Sequence, residues 1–389
     1  MENNTEKQQE YNNQKKPKIA IVCDWLTNWG GAERCIINFH EIWPEAPIYT
    51  LIYNEKKMPE FKNAKIITSY LQKMPLAKRK WQFYLNQMPY AIEQFDLSEY
   101  DIVLSNSHVV AKGVITKPST LHICYLDSPT RYLWDYMHLY IKEMSITHIK
   151  IIDSILKKYI KKRFNKIRIW DFIAGQRPDK IISISKFIQN RTLKYYRRES
   201  DVIYPPVNTN LYTPVEESEI DDYYLIVGRQ VDYKKTDIVV EAFNKIGLPL
   251  VVIGNGPALK KLKKMANKNI KILGRIPDKE VKKYYAKCKA FLFPQEEDFG
   301  ITPLEAQSAG RPVIAYRAGG AKETVIENQT GIFFDSQTPE SIIEAIQKFD
   351  VKKFDPKKIR ENALRFDVEK FKNNIKEYIE KNWEEHSKK

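Results

Sequence analysis

The stretch YLIVGRQVDYKKTDIVVEAFNKIGLPLVVIGNGP, Tyr224–Pro257, decides the fold. Tyr224–Val227 is a short apolar run that stops at Gly228. Leu250–Ile253 is a second such run and stops at Gly254-Asn255-Gly256-Pro257. Both are too short for helices and are bounded by turn residues, so they read as buried strands. Between them, Thr236–Lys245 carries its apolar residues at helical spacing. The alternation continues with a helix at Ala258–Ala266, a strand at Ile270–Leu273, a helix at Lys279–Ala286 and a strand at Ala290–Phe293. It goes on with a helix at Thr302–Ala309, a strand at Val313–Ala315 and a helix at Ala321–Ile326. Strict strand–helix alternation implies a parallel sheet covered by helices.

Working outward, the first half repeats the pattern less cleanly. Lys18–Val22 reads as a strand, followed by a Gly30-Gly31 loop and a helical stretch from Ala32 to Ile42. Further strands are expected at Ile48–Ile52, Ile102–Leu104, Leu121–Tyr125, Ile181–Ile184 and Val202–Tyr204. Both halves therefore look like Rossmann-type layers, whose ligands bind where strand ends meet. The division is expected near Pro205-Pro206, before the acidic, polar segment Val215–Asp222. That gives a first domain over 18–207, a second over 208–367, and a charged amphipathic helix over about 368–389 that completes the first. Residues 1–17 are polar and read as a disordered tail without a secretory leader.

Composition narrows the function classes. Among 389 residues, 43% are hydrophobic and 29% charged, the balance of a globular protein. No apolar stretch is long enough to span a membrane. Cys23, Cys35, Cys124 and Cys288 lie far apart in no metal-ligand spacing, which argues against disulfides and zinc and fits a reducing cytoplasm. The net charge of +15 favours an anionic partner or reflects a solvated Lys-rich surface. Nucleic acid is disfavoured as that partner, because no helix-turn-helix, zinc or RNA-binding signature is present.

Four segments could carry chemistry. In Gln295–Ala306, between a strand and a helix, Gly300 allows close backbone approach, and the amides of Gly300, Ile301 and Thr302 open a helix that can hold a diphosphate. Glu297 and Glu305 there could both face one cleft and accept hydrogen bonds from sugar or ribose hydroxyls; a helix start that merely attracts acids is the plain alternative. After the strand Tyr224–Val227, Arg229 and Lys234 could clamp a leaving diphosphate or simply be solvated. Gly254 and Gly319-Gly320 mark helix-entry turns, as do Gly30-Gly31, which do not form a dinucleotide fingerprint. Finally, Tyr125–Asp135 follows a strand and would place Asp127 and Arg131 at the cleft, unless Asp127 is only a cap.

Taken together, these segments resemble the retaining family-4 glycosyltransferases of the GT-B fold, in which two Rossmann-like domains face each other across a cleft. Glu297 and Glu305 match that family's spaced glutamate pair, Arg229 and Lys234 its diphosphate-binding pair, and Gly30-Gly31-Ala32-Glu33 its N-terminal glycine loop. Ser107-His108, Ala111–Val114, Tyr125–Asp135, Tyr204–Val207 and Glu296–Thr302 resemble the WbaZ-like bacterial mannosyltransferases of O-antigen synthesis. One departure stands out: Asp127 occupies the place of a histidine that lies beside the reacting sugar in that family. His108 is another imidazole candidate.

The resemblance implies a metal-independent transferase with no cofactor beyond its donor, a nucleotide-diphosphate sugar such as GDP-mannose. It also implies a glycan or lipid-linked acceptor in surface polysaccharide synthesis. A UDP-sugar donor, a non-catalytic sugar-nucleotide binder and a related epimerase are the alternatives. Attachment to an anionic membrane surface, on its cytoplasmic face, is expected through two segments. Thr147–Arg168 sets Ile149, Ile152, Leu156, Ile160 and Phe164 on one face among basic residues, and Lys78-Arg79-Lys80-Trp81 is basic and aromatic. A core-facing helix with a solvated basic side explains the first equally well.

Overall fold

A computed structural model describes residues 16–143 and 150–388. Thirteen strands form two all-parallel sheets among these residues. The first contains β1 (Ile19–Cys23), β2 (Ile48–Thr50), β3 (Ile66–Thr68), β4 (Ile102–Ser107), β5 (Leu121–Leu126), β6 (Lys180–Ser183) and β7 (Asp201–Val202), in the order β3-β2-β1-β4-β5-β6-β7. The second contains β8 (Tyr224–Val227), β9 (Leu250–Ile253), β10 (Ile270–Gly274), β11 (Ala290–Phe293), β12 (Val313–Tyr316) and β13 (Gly331–Phe334), in the order β10-β9-β8-β11-β12-β13. Both are doubly wound. The order reverses between β1 and β4 in one sheet and between β8 and β11 in the other, and such switch points are where these sheets bind ligands.

Central strands are buried on both faces, which is why they read as unbroken apolar runs. In the second sheet Tyr224, Ile226, Leu250, Val252 and Leu292 pack against Val239, Val240 and Phe243 of the helix Thr236–Ile246. On the other face Leu225, Phe291, Val313 and Ala315 pack against Tyr285, Ala306 and Ala309. Two strands were not expected: β3 and β13, the short edge strands whose side chains are largely half-buried.

The chain divides into two compact units. One comprises residues 1–182, 192–200 and 376–389, the other 183–191 and 201–375. The changeover is thus spread over 183–200 rather than sitting at Pro205-Pro206, and 183–191 and 201–207 belong with the second unit. The helix Val368–His386 begins in the second unit and ends in the first. Of the basic helix expected near 147–168, the structure describes Lys150–Ala174; Thr147, Ile149 and the side chains of Ile152 and Leu156 lie outside the described residues, as does most of the N-terminal tail. Phe164 and Ile167 of that helix pack in the core with Leu133 and Ile141, while Lys158, Lys161, Lys162 and Arg163 are exposed.

Candidate functional site

Each switch point carries a carboxylate–cation pair. In the second unit, Gly228 ends β8 and begins a loop whose Lys234 Nζ lies 2.8 Å from Glu297 Oε1, in the loop after β11. These side chains are 16% and 20% exposed, so solvent reaches both. The loops after β8 and β9 are stitched together: Gln230 N–H donates to Asn255 O (3.0 Å), and Ala258 N–H to Gln230 O (3.1 Å). Gly254 is required there, since φ is +127° and a Cβ would sit 1.8 Å from Gly228 O. Backbone therefore lines this edge closely, as an anionic ligand held by main-chain amides needs.

On the other side of the same switch point, Gly300 (φ +89°) turns the chain into the helix Ile301–Ser308, with Ile301 and Thr302 half-buried at its start. The first amides of a helix have no intrahelical acceptor. The loop before it is fixed from behind: Gly320 N–H donates to Glu297 O (2.8 Å), Ser185 Oγ to Asp298 O (2.6 Å), and Arg191 pairs with Asp298 (3.1 Å). Glu323 accepts from the amides of Lys186 and Phe187 and from Tyr204 OH.

The expected residues are only partly gathered. Lys234 and Glu297 meet; Arg229 is exposed on the same loop, with no ion pair among the described residues. Glu305 does not share Glu297's exposure. It is buried, and its Oε2 accepts from Tyr285 OH at 2.8 Å. The helix it rides on is buried along almost its whole length, which turns the second glutamate inward.

In the first unit the pair is Asp24, just past β1, and His108, just past β4: His108 Nδ1 lies 2.9 Å from Asp24 Oδ2. Asp24 is buried, and its oxygens also accept four main-chain amides, from His108 (2.8 Å), Val109 (2.9 Å), Val110 (2.6 Å) and Ala111 (2.7 Å). Burial opposes the Asp24 charge, but the His108 charge and these hydrogen bonds outweigh it and hold the carboxyl at about 2. Burial also disfavours charged His108; Asp24 overcomes it and raises the imidazole to about 9. The pair is ionised at neutral pH.

Asp127 follows β5 in the same neighbourhood. Burial, with help from Asp24 and Glu33, raises it to about 7 against the pull of His108. Glu33, on the helix Gly31–Ile42, is likewise pushed up to about 7, chiefly by burial. Asn106 lies within reach of Asp127, yet neither Asp127 Oδ2 nor either amide atom of Asn106 completes a hydrogen bond. Buried polar atoms left open at a strand end suit a hydroxylated ligand. Gly30 is extended (φ −161°) and Gly31 begins the helix, so this glycine loop contributes closeness rather than a left-handed turn. Sequence reading missed Asp24 and Tyr285. An Asp directly after a buried strand was the available signal for the first; nothing local marked the second.

Residues 213–366 match the family model described as Glycosyl transferases group 1. The uncharacterised glycosyltransferase MJ1178 of Methanocaldococcus jannaschii is 31% identical over 241 residues, covering 59% of this chain and 66% of that protein. The GDP-mannose-dependent alpha-(1-6)-phosphatidylinositol monomannoside mannosyltransferase of Mycobacterium tuberculosis is 28% identical over 202 residues, covering 44% and 52%. The matched regions thus span between about half and two thirds of these relatives. Among solved structures, Anabaena Alr3699/HepE in complex with UDP has a TM-score of 0.68 at 17% identity, covering 94% of this chain and 100% of that one. That likeness establishes the GT-B fold, and the family match lies within the second unit. No described helix is long and apolar enough to cross a membrane.

Proposed function

We propose that this chain, as a group 1 glycosyltransferase, transfers a sugar from a nucleotide-diphosphate donor to a glycan acceptor. The observation that carries the reading is the Lys234–Glu297 pair, set between a main-chain cradle and a helix start at the switch point of the second sheet. A diphosphate entering there draws Lys234 and Arg229 to itself and frees Glu297 for the hydroxyls of the donor sugar. The amides of Gly300, Ile301 and Thr302 complete the anion site. The acceptor hydroxyl oxygen bonds to the anomeric carbon as the bond to the diphosphate breaks; the electron pair leaves with the phosphate, which takes up the acceptor's proton. Charge grows on the leaving group as the bond opens, so cations aimed at it lower the barrier more than they aid donor binding.

The donor is GDP-mannose, a choice supported by the name of the Mycobacterium tuberculosis relative. Transfer retains the anomeric configuration, needs no metal, and goes to a lipid-linked glycan at the cytoplasmic face of a membrane. Glu305, held by Tyr285, lies behind the site and steadies the nucleotide's ribose. The UDP complex of HepE favours a second reading, the same chemistry from a UDP-sugar.

A transfer assay with GDP-mannose in excess EDTA tests the proposal. Full activity and a product of unchanged anomeric configuration by NMR are expected. A strict divalent-metal requirement or an inverted product would overturn the metal-independent, retaining mechanism.

A further inference from the structure

The segment between Glu60 and Glu93 contains no acidic residue, yet it carries Lys62, Lys65, Lys73, Lys78, Arg79 and Lys80. All six are exposed, and none forms an ion pair among the described residues. Beside them the same segment turns large apolar side chains to solvent: Leu76 is 58% exposed, Phe83 67% and Tyr90 60%. Leu76 also sits at φ +57°, a backbone conformation unfavourable for leucine, directly before the basic turn Ala77–Lys80. Tyr84 OH donates to Pro75 O at 2.6 Å, which ties the residue after Phe83 to the residue before Leu76. Lys80 Nζ lies 5.6 Å from the Phe83 ring.

The other face of this segment is fixed. Leu71, Ala77, Met88, Ala91 and Ile92 are buried in the core of the first unit. Trp81 stacks on Trp25 with centroids 4.0 Å apart, and Trp25 meets His108 edge-on at 4.7 Å. The segment is therefore rigidly joined to the polar cluster at the first sheet's switch point. By contrast, the basic helix Lys150–Ala174 places Phe164 and Ile167 in the core.

We infer that Tyr70–Tyr90 is a docking surface for an anionic lipid bilayer, with Leu76 and Phe83 entering the acyl boundary and Lys78, Arg79 and Lys80 meeting the headgroups. Apolar groups rimmed by unpaired cations match the two requirements of interfacial attachment: area to bury and charge to attract. The Trp81–Trp25–His108 contacts then hold the strand-end cluster at a constant height over the surface, where a lipid-linked acceptor presents its glycan. This deepens the lipid-linked acceptor reading and rests on it.

Sedimentation of the full chain with vesicles tests it. Phosphatidylcholine containing phosphatidylglycerol should carry the protein down in a salt-sensitive manner, and phosphatidylcholine alone should not. Lys78→Glu, Arg79→Glu and Lys80→Glu together should weaken partitioning by about 10²-fold or more, at roughly fivefold per cation. Leu76→Ser with Phe83→Ser should weaken it about tenfold or more. These positions are exposed, so thermal melting should be unchanged. The native cysteines are buried, so Phe83→Cys can be labelled selectively with an environment-sensitive dye, whose emission should shift to the blue on anionic vesicles. No anionic-vesicle binding, equal binding by the variants, or no shift at position 83 would overturn the docking surface. Donor binding measured without vesicles reports separately on the glycosyltransferase reading.

Discussion

The two switch points of this molecule are built alike and tuned apart. In the first unit Asp24 is sealed by four amides and an imidazolium, leaving no oxygen to spare for a ligand. In the second unit Lys234 and Glu297 hold each other in a solvent-reached pair that an incoming anion can open. A carboxylate–cation pair at a strand edge is thus a structural lock where main-chain amides close around it, and is open to solvent where they do not. The difference lies in burial, in the loops and in the cation, an imidazole in one pair and a lysine in the other.

The largest expected effect is on the lock. Asp24→Ala leaves four buried amides and the His108 ring without their acceptor, and it should cost about 3–5 kcal/mol of stability, read as a lowered denaturant midpoint. The same substitution logic at the open pair should leave stability nearly untouched. There, Lys234→Ala should lower kcat about 10²-fold or more while melting stays near wild type. If Lys234→Ala instead unfolds the protein and Asp24→Ala does not, the assignment of lock and site is reversed.

The third prediction concerns pH. Asp127 and Glu33 are raised to about 7 in the folded protein, so the folded state holds their protons longer than the unfolded chain does. Stability should therefore decline as pH rises from about 4 to 7, the interval between unfolded and folded values. Asp127→Asn should melt about 2 °C or more above wild type at pH 8, with the gap closing as pH falls towards 4. His108 acts in the same sense at higher pH: its contribution is complete below about 6.5 and is lost as pH rises through 9. The smallest effect is expected from Tyr285→Phe, which removes one hydrogen bond to Glu305 and should cost about 1 kcal/mol of stability.

How much of this was legible in the sequence follows from the same contrast. The runs Tyr224–Val227, Leu250–Ile253 and Ala290–Phe293 were readable to the residue, because strands covered by helices on both faces are continuous apolar segments cut off by turn residues. Ile66–Thr68 and Gly331–Phe334 were not: the first is three residues long and half-buried throughout, and the second opens on a glycine and has two half-buried central residues. Lys234 and Glu297 were found as members of separate loops, and only the β8–β11 adjacency joins them. Asp24 was missed for a different reason: apart from His108, its partners are main-chain amides 84 to 87 positions away, which carry no side-chain signal. The inward turn of Glu305 depends on which face of an almost wholly buried helix points to Tyr285, and periodicity cannot choose a face when polar and apolar residues alike are buried all round it.

The central claim is that the open pair at the second switch point is the donor site. Calorimetric titration of the purified chain with GDP-, UDP- and ADP-sugars, repeated on Lys234→Ala, tests it most directly. The account predicts selective binding of GDP-mannose by the wild type and weaker binding by Lys234→Ala. Binding of that donor with equal affinity by Lys234→Ala would contradict it.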